Sequence, residues 1–182
     1  MTDTTIEWQS PETTPAGDPF LTVKKARGYY YYAERGGVDS IAFVLLDKTA
    51  NKIGLILESK PPMDEMASIE VDYITAFGGS IDSPDSKTDI VITEVLEEAG
   101  YVVTADNVTE VGSTVVSTQM SQTLYAYTVD VTGIPKTAET EYESQGKGDR
   151  TQWMTFTEAL ANSDWKSIFI MTMLGHKLDG AK

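Results

Sequence analysis

The stretch from Gly78 to Tyr101, GGSIDSPDSKTDIVITEVLEEAGY, constrains this chain more than any other part of it. A double glycine precedes a helix-compatible run, three glutamates recur at helical spacing, and Gly100 closes the run. Residues three and four apart share a helix face, so Glu94, Glu97 and Glu98 crowd together. Like charges placed so destabilise an isolated helix by about a few tenths of a kcal/mol per pair. A cation held between them removes that cost. An all-oxygen donor set of this kind suits a hard divalent ion such as Mg2+ or Mn2+, which keeps several waters and also binds phosphates. Taken alone, an E-x-x-E-E cluster is more often a solvated face of an acidic surface helix.

The surroundings favour a site. Val91, Val95 and Ala99, flanked by Ile92 and Leu96, form an apolar stripe able to pack on a core. Gly100 stands where a helix C-terminus takes a left-handed turn. Ala76-Phe77-Gly78-Gly79 ends an apolar run, and its glycines let backbone pass close to whatever the carboxylates hold. The helix is expected over residues 86–99.

These residues resemble the Nudix box, G-x5-E-x7-R-E-U-x-E-E-x-G-U with U aliphatic. Gly79 begins the pattern, and Glu94, Val95, Glu97, Glu98 and Gly100 match it. Asp85 stands at the first Glu position, Thr93 at the Arg position, and Tyr101 at the last aliphatic one. Thr93 is too short and uncharged to orient a metal-binding carboxylate as the family's Arg does, and Asp85 is one methylene shorter than Glu. The resemblance implies a Nudix-like α/β/α sandwich with a mixed β-sheet. It also implies hydrolysis of a nucleoside diphosphate linked to another moiety, with Mg2+ or Mn2+ and an activated water. Glu94 and Glu98 match the main metal ligands. Glu97 matches a ligand that also helps position the water, so Glu97 and Glu98 are catalytic candidates too. A backbone carbonyl at Gly78 or Gly79 completes the shell, with Gly79 also placed against substrate. The general base of such proteins lies outside the box, on a late loop. Glu139, Glu141, Glu143 and Asp149 are available there, and Glu143 is the expected base.

Softer similarities point to the ADP-ribose pyrophosphatase branch. They include the Tyr-rich run before Gly36-Gly37-Val38, the segment Leu55 to Pro62 with its basic Lys60, and Trp153 to Leu160. Tyr31 and Lys60 are the substrate-binding candidates from these flanks. Where that branch carries a Ser-Pro-Gly turn, this chain has Ser117-Thr118-Gln119. ADP-ribose or a nucleotide sugar leads as substrate, with diadenosine polyphosphates and nucleoside triphosphates as alternatives. A nucleotide-binding module with weak or no catalysis is a further alternative. The branch pairs subunits through N-terminal strands, so a homodimer is expected.

Composition sets outer limits. A chain of 182 residues suits one compact domain. Its net charge of -14, without a basic cluster, argues against a duplex nucleic-acid binder. The absence of Cys excludes disulfides and thiol catalysis. The polar start Met1-Thr-Asp-Thr-Thr is unlike a signal peptide, and no apolar run approaches the roughly 20 residues of a span. The cytoplasm is the expected compartment, with no membrane partner.

Along the chain, residues 1–27 read as a partly flexible arm, with a short strand expected at 20–23, and 28–182 as the domain. Strands are expected from the Tyr run at 28–32, at 40–46 and 52–58 joined by the turn 47–51, and at 68–75. Others follow at 101–103, 108–116, 123–131 and 152–156. Residues 132–149 read as a long loop, a kind of connection that often carries function. Helices are expected from 157 and over 165–178. His176 receives no role.

Overall fold

The computed structural model describes residues 4–14, 17–36, 38–59 and 72–180, with the side chains of 177–180 excepted. Gly37, Lys60, the Pro61-Pro62 break and residues 68–71 of the strand expected at 68–75 lie outside the described residues. The chain folds as two compact units. The first holds residues 1–40, 80–84 and 113–125; the second holds 41–79, 85–112 and 126–182.

In the first unit, the segment expected as an arm is built into a sheet. β1 (Thr4–Gln9) pairs antiparallel with β2 (Thr22–Ala26), and β2 with β3 (Tyr30–Glu34). Arg27 and Gly28 turn the β2–β3 connection with φ of 53° and 75°. β3 meets the start of β9 (Met120–Asp130) in parallel at Ala33 and Met120, so the sheet is mixed. β8 (Val108–Ser117) lies beside β9, and Ser117-Thr118-Gln119 forms the bend between them. Both β8 and β9 are divided between the two units.

The second unit contains the predicted hairpin. β4 (Ser40–Asp47) and β5 (Lys52–Glu58) pair antiparallel, with Leu45 opposite Gly54 and Asp47 opposite Lys52. Asp47 Oδ1 accepts from the backbone N–H of Thr49 and Ala50, closing the turn as aspartate does. β6 (Tyr73–Thr75) adds to β5, and β7 (Phe77–Ser80) adds to β4. β10 (Thr151–Met154) covers the other edge of β5. Phe43 and Phe77 stack at 5.3 Å, and Leu45, Leu55, Ile56, Val91 and Val95 are fully enclosed around them.

α1 (Lys87–Glu94) starts at the N-cap Ser86, whose Oγ accepts from Asp89 N–H. Its continuation, Val95–Ala99, is a turn of π-helix, ending at Gly100 with φ of 76°. The predicted helix is therefore present, but its last turn is wider than an α-helix. No regular strand forms at 101–103; Tyr101 makes a single bridge to Lys136. The expected loop 132–149 contains a short helix, α2 (Glu141–Ser144), which the acidic, glycine-flanked composition concealed. α3 (Phe156–Asn162) and α4 (Trp165–Gly180) follow β10. Among the described residues, no helix is long and apolar enough to cross a membrane.

Candidate active site

The site grows from the contact between β7 and α1. Phe77, Val91, Val95 and Ala99 are buried, so the apolar stripe docks and turns the opposite face of the helix outward. A Cβ on Gly79 would stand 1.9 Å from Glu94 Oε1 and 2.5 Å from its Cδ. The carboxylate of Glu94 thus occupies the space that any side chain at position 79 would need. Gly78 N–H donates to Glu98 Oε2 at 3.1 Å. A Cβ on Gly78 would meet the Ile41 carbonyl oxygen at 2.6 Å, so this position is closed on its other side by β4. Two of the three predicted glutamates therefore converge on the predicted glycine pair.

Glu97 goes elsewhere. It is exposed and lines a groove of about 420 Å3 with Glu139, Thr140, Glu141 and Ser144. Among the described residues, no three His, Cys, Asp or Glu side chains are gathered as a ready-made metal cage. The donors that do converge still suit a hard cation. Mg2+ binds through one or two carboxylates plus substrate phosphates and retains much of its water shell. Glu94, Glu98 and the Gly78–Gly79 backbone meet that requirement.

The loop that carries the candidate bases is pinned at its root. Gly100 C=O accepts from Thr137 N–H at 3.0 Å and Ala138 N–H at 3.2 Å. Lys136 Nζ pairs with Glu143 Oε2 at 3.0 Å and Asp149 Oδ2 at 2.9 Å. Glu143 also completes a capping box, accepting from Thr140 N–H at 2.8 Å while its own N–H donates to Thr140 Oγ1. The Thr140 amide and then Lys136 hold the Glu143 carboxyl below its ordinary range. Burial works against ionised Asp149, but its bonds to Lys136 and Thr151 prevail and hold it low too. Glu143, the base expected from sequence, is thus occupied as a cap and ion-pair partner.

Glu58 is the feature that sequence reasoning missed. It ends the apolar run of β5, where a charged residue ordinarily marks an exposed strand end. Instead it is only 6% exposed. Tyr73 Oη reaches its Oε1 and Tyr142 Oη its Oε2, both at 3.4 Å. Burial, followed by the charges of Glu58 and Glu98, pushes the Tyr142 hydroxyl up to about 12. Burial and Glu58 push Tyr73 up as well. The only sequence signal was the pair of tyrosines, whose pairing with Glu58 is long-range. Of the other candidates, Thr93 and Asp85 are exposed. Tyr31 lies in the first unit, 49% exposed, with Lys25 Nζ 5.3 Å above its ring.

No protein-family model and no curated protein sequence matches this chain. Its structure is similar to the crystal structure of an ADP compounds hydrolase, with a TM-score of 0.67 over 98% of this chain and 96% of that one. The two are 12% identical in sequence. A likeness at that identity speaks for the fold, and the fold is the Nudix-like mixed α/β arrangement expected from the box.

Proposed function

We propose that this chain hydrolyses a pyrophosphate bond in a nucleoside diphosphate linked to another moiety, ADP-ribose or a nucleotide sugar, with Mg2+ or Mn2+ bound. The observation that carries this reading is the convergence of Glu94 and Glu98 on Gly78–Gly79. A diphosphate brought to such an acidic surface is repelled unless positive charge intervenes. A bound divalent cation supplies that charge and lowers the pKa of an attacking water. Glu94 and Glu98 would hold it, and the Gly78 N–H fixes the orientation of the Glu98 carboxylate. Glu97, Glu139 and Glu141 line one groove, where a carboxylate within about 3 Å of the water accepts its proton. Glu139, and Glu141, whose carboxylate accepts only from the Gln145 side chain, are better suited than Glu143, whose oxygen is shared between an amide and the Lys136 cation. The likeness to an ADP compounds hydrolase supports the substrate class.

A second reading, nucleotide binding with weak or no catalysis, draws on exposed Thr93 at the family's Arg position. Product analysis separates the two, using ADP-ribose, nucleotide sugars, diadenosine polyphosphates and nucleoside triphosphates, each with Mg2+ and Mn2+. AMP from ADP-ribose, lost in Glu98→Gln, is the expected result. Ligand binding without product at any metal concentration would sink the hydrolase reading and favour the second.

We also propose that two copies associate through β1. All six of its residues are exposed, including Ile6 at 59% and Trp8 at 51%, and large apolar side chains exposed on a sheet-edge strand invite pairing.

A further inference from the structure

The buried Glu58 carboxylate lies between two tyrosines that belong to different parts of the second unit. Tyr73 is on β6, already hydrogen-bonded to β5 beside Glu58. Tyr142 is on α2, 84 residues away in sequence, in a helix of only four residues. So short a helix is not stable by itself. Its ends are held by the Thr140–Glu143 capping box and by Lys136, and Tyr142 is the side chain that reaches from its middle into the interior. The same helix and its N-terminal flank present Glu139, Thr140, Glu141 and Ser144 to the groove that Glu97 completes.

We propose that the Tyr142 hydroxyl, docked on Glu58, is a strut that holds residues 139–144 in place opposite Glu97, making Tyr142 and Glu58 positioning residues. Burying Glu58 requires hydrogen-bond donors for its oxygens, and supplying one from α2 ties the acidic segment to the end of β5. Tyr73 satisfies the other oxygen without holding that segment. The strut therefore predicts a difference between two tyrosines that touch one carboxylate. Its kinetic consequence rests on the hydrolase reading, whereas its structural content does not.

The test compares Tyr142→Phe, Tyr73→Phe and Glu58→Gln with the unaltered chain by amide hydrogen exchange over 144–147. There the N–H groups of Ser144, Gln145, Gly146 and Lys147 are all bonded within the segment. In Tyr142→Phe these amides are expected to exchange about tenfold faster, as on losing a bond to a charged acceptor. Tyr73→Phe is expected to leave them unchanged, and Glu58→Gln to fall between. Unchanged exchange in Tyr142→Phe, or an equal rise in Tyr73→Phe, overturns the strut. With ADP-ribose and Mg2+, kcat of Tyr142→Phe is expected to fall about tenfold with KM within about twofold, since a displaced proton acceptor costs rate rather than binding. Faster exchange with unaltered kcat would overturn the positioning role. Absence of turnover in the unaltered chain would refute the hydrolase reading and leave exchange to decide the strut.

Discussion

Substituting alanine for Gly79, and separately for Gly78, divides the work of the glycine pair between function and fold. At Gly79 the new Cβ lies 1.9 Å from Glu94 Oε1 and 3.0 Å from its Cγ. Ordinary contact begins at 3.4 Å, so the carboxylate oxygen must retreat by about 1.5 Å, the gap between those limits. The obstacle is the far end of a flexible side chain, which can move at little cost to the fold. Gly79 lies in β7 and is not in the left-handed region, so alanine also reduces unfolded-state freedom, worth about 0.4–1 kcal/mol of stability. The expected stability change is within about 1 kcal/mol, a shift of roughly 2–4 °C for a chain of this size. Activity should respond very differently, because a displacement of about 1 Å in a positioning group can cost about a hundredfold in rate. The stabilisation given by Mn2+, which reports binding to the folded state alone, should shrink in parallel.

Gly78→Ala is the opposite case. Its Cβ meets the Ile41 carbonyl oxygen at 2.6 Å, and backbone in a paired strand cannot swing aside. Overpacking there should cost about 1–3 kcal/mol. Calorimetric melting with and without Mn2+, together with turnover of ADP-ribose, measures both variants. Full activity in Gly79→Ala, or a loss of stability equal to that of Gly78→Ala, would refute the claim that Gly79 exists to admit the Glu94 carboxylate.

The remaining expectations concern pH and assembly. Glu143 and Asp149 have folded-state pKa values held below their unfolded ones, so their stabilisation is complete only above their unfolded values, from about pH 5 upward, and is lost as pH falls through the folded values. Lys136→Met keeps most of the stem and removes the charge, so its melting temperature should fall less steeply with acid; parallel curves for the two proteins would deny the Lys136 link. Trp8→Glu should shift the sedimentation of the chain toward monomer, and an unchanged profile would exclude β1 from the association.

Much of this molecule was legible locally. The hairpin of β4 and β5 follows from two apolar runs around Asp47-Lys-Thr-Ala-Asn51, because turn chemistry and pleat periodicity act over a few residues. The helix after Ser86, its docked stripe and the left-handed Gly100 were readable for the same reason. The glycine pair and the glutamates could be named together because their spacing is a sequence property. β1 and β2 were not read from the sequence because two apolar residues in each, Ile6 and Trp8, Val23 and Ala26, are too few to mark a strand by pattern, and only pairing between strands makes them strands. The short helix α2 was hidden by its glycine and acid flanks.

The sequence by itself determined that a carboxylate-bearing helix with an apolar back follows a glycine pair, since helical spacing is local; the turn expected at that pair is instead part of strand β7. Only the tertiary structure decided where each glutamate lies. The π turn at Val95–Ala99 departs from the 3.6-residue period on which spacing arguments rest, and across it Glu98 finds the Gly78 amide while Glu97 faces α2. It alone placed Glu58 in the interior, because whether a carboxylate can be buried depends on donors from β6 and α2 that arrive from distant parts of the chain.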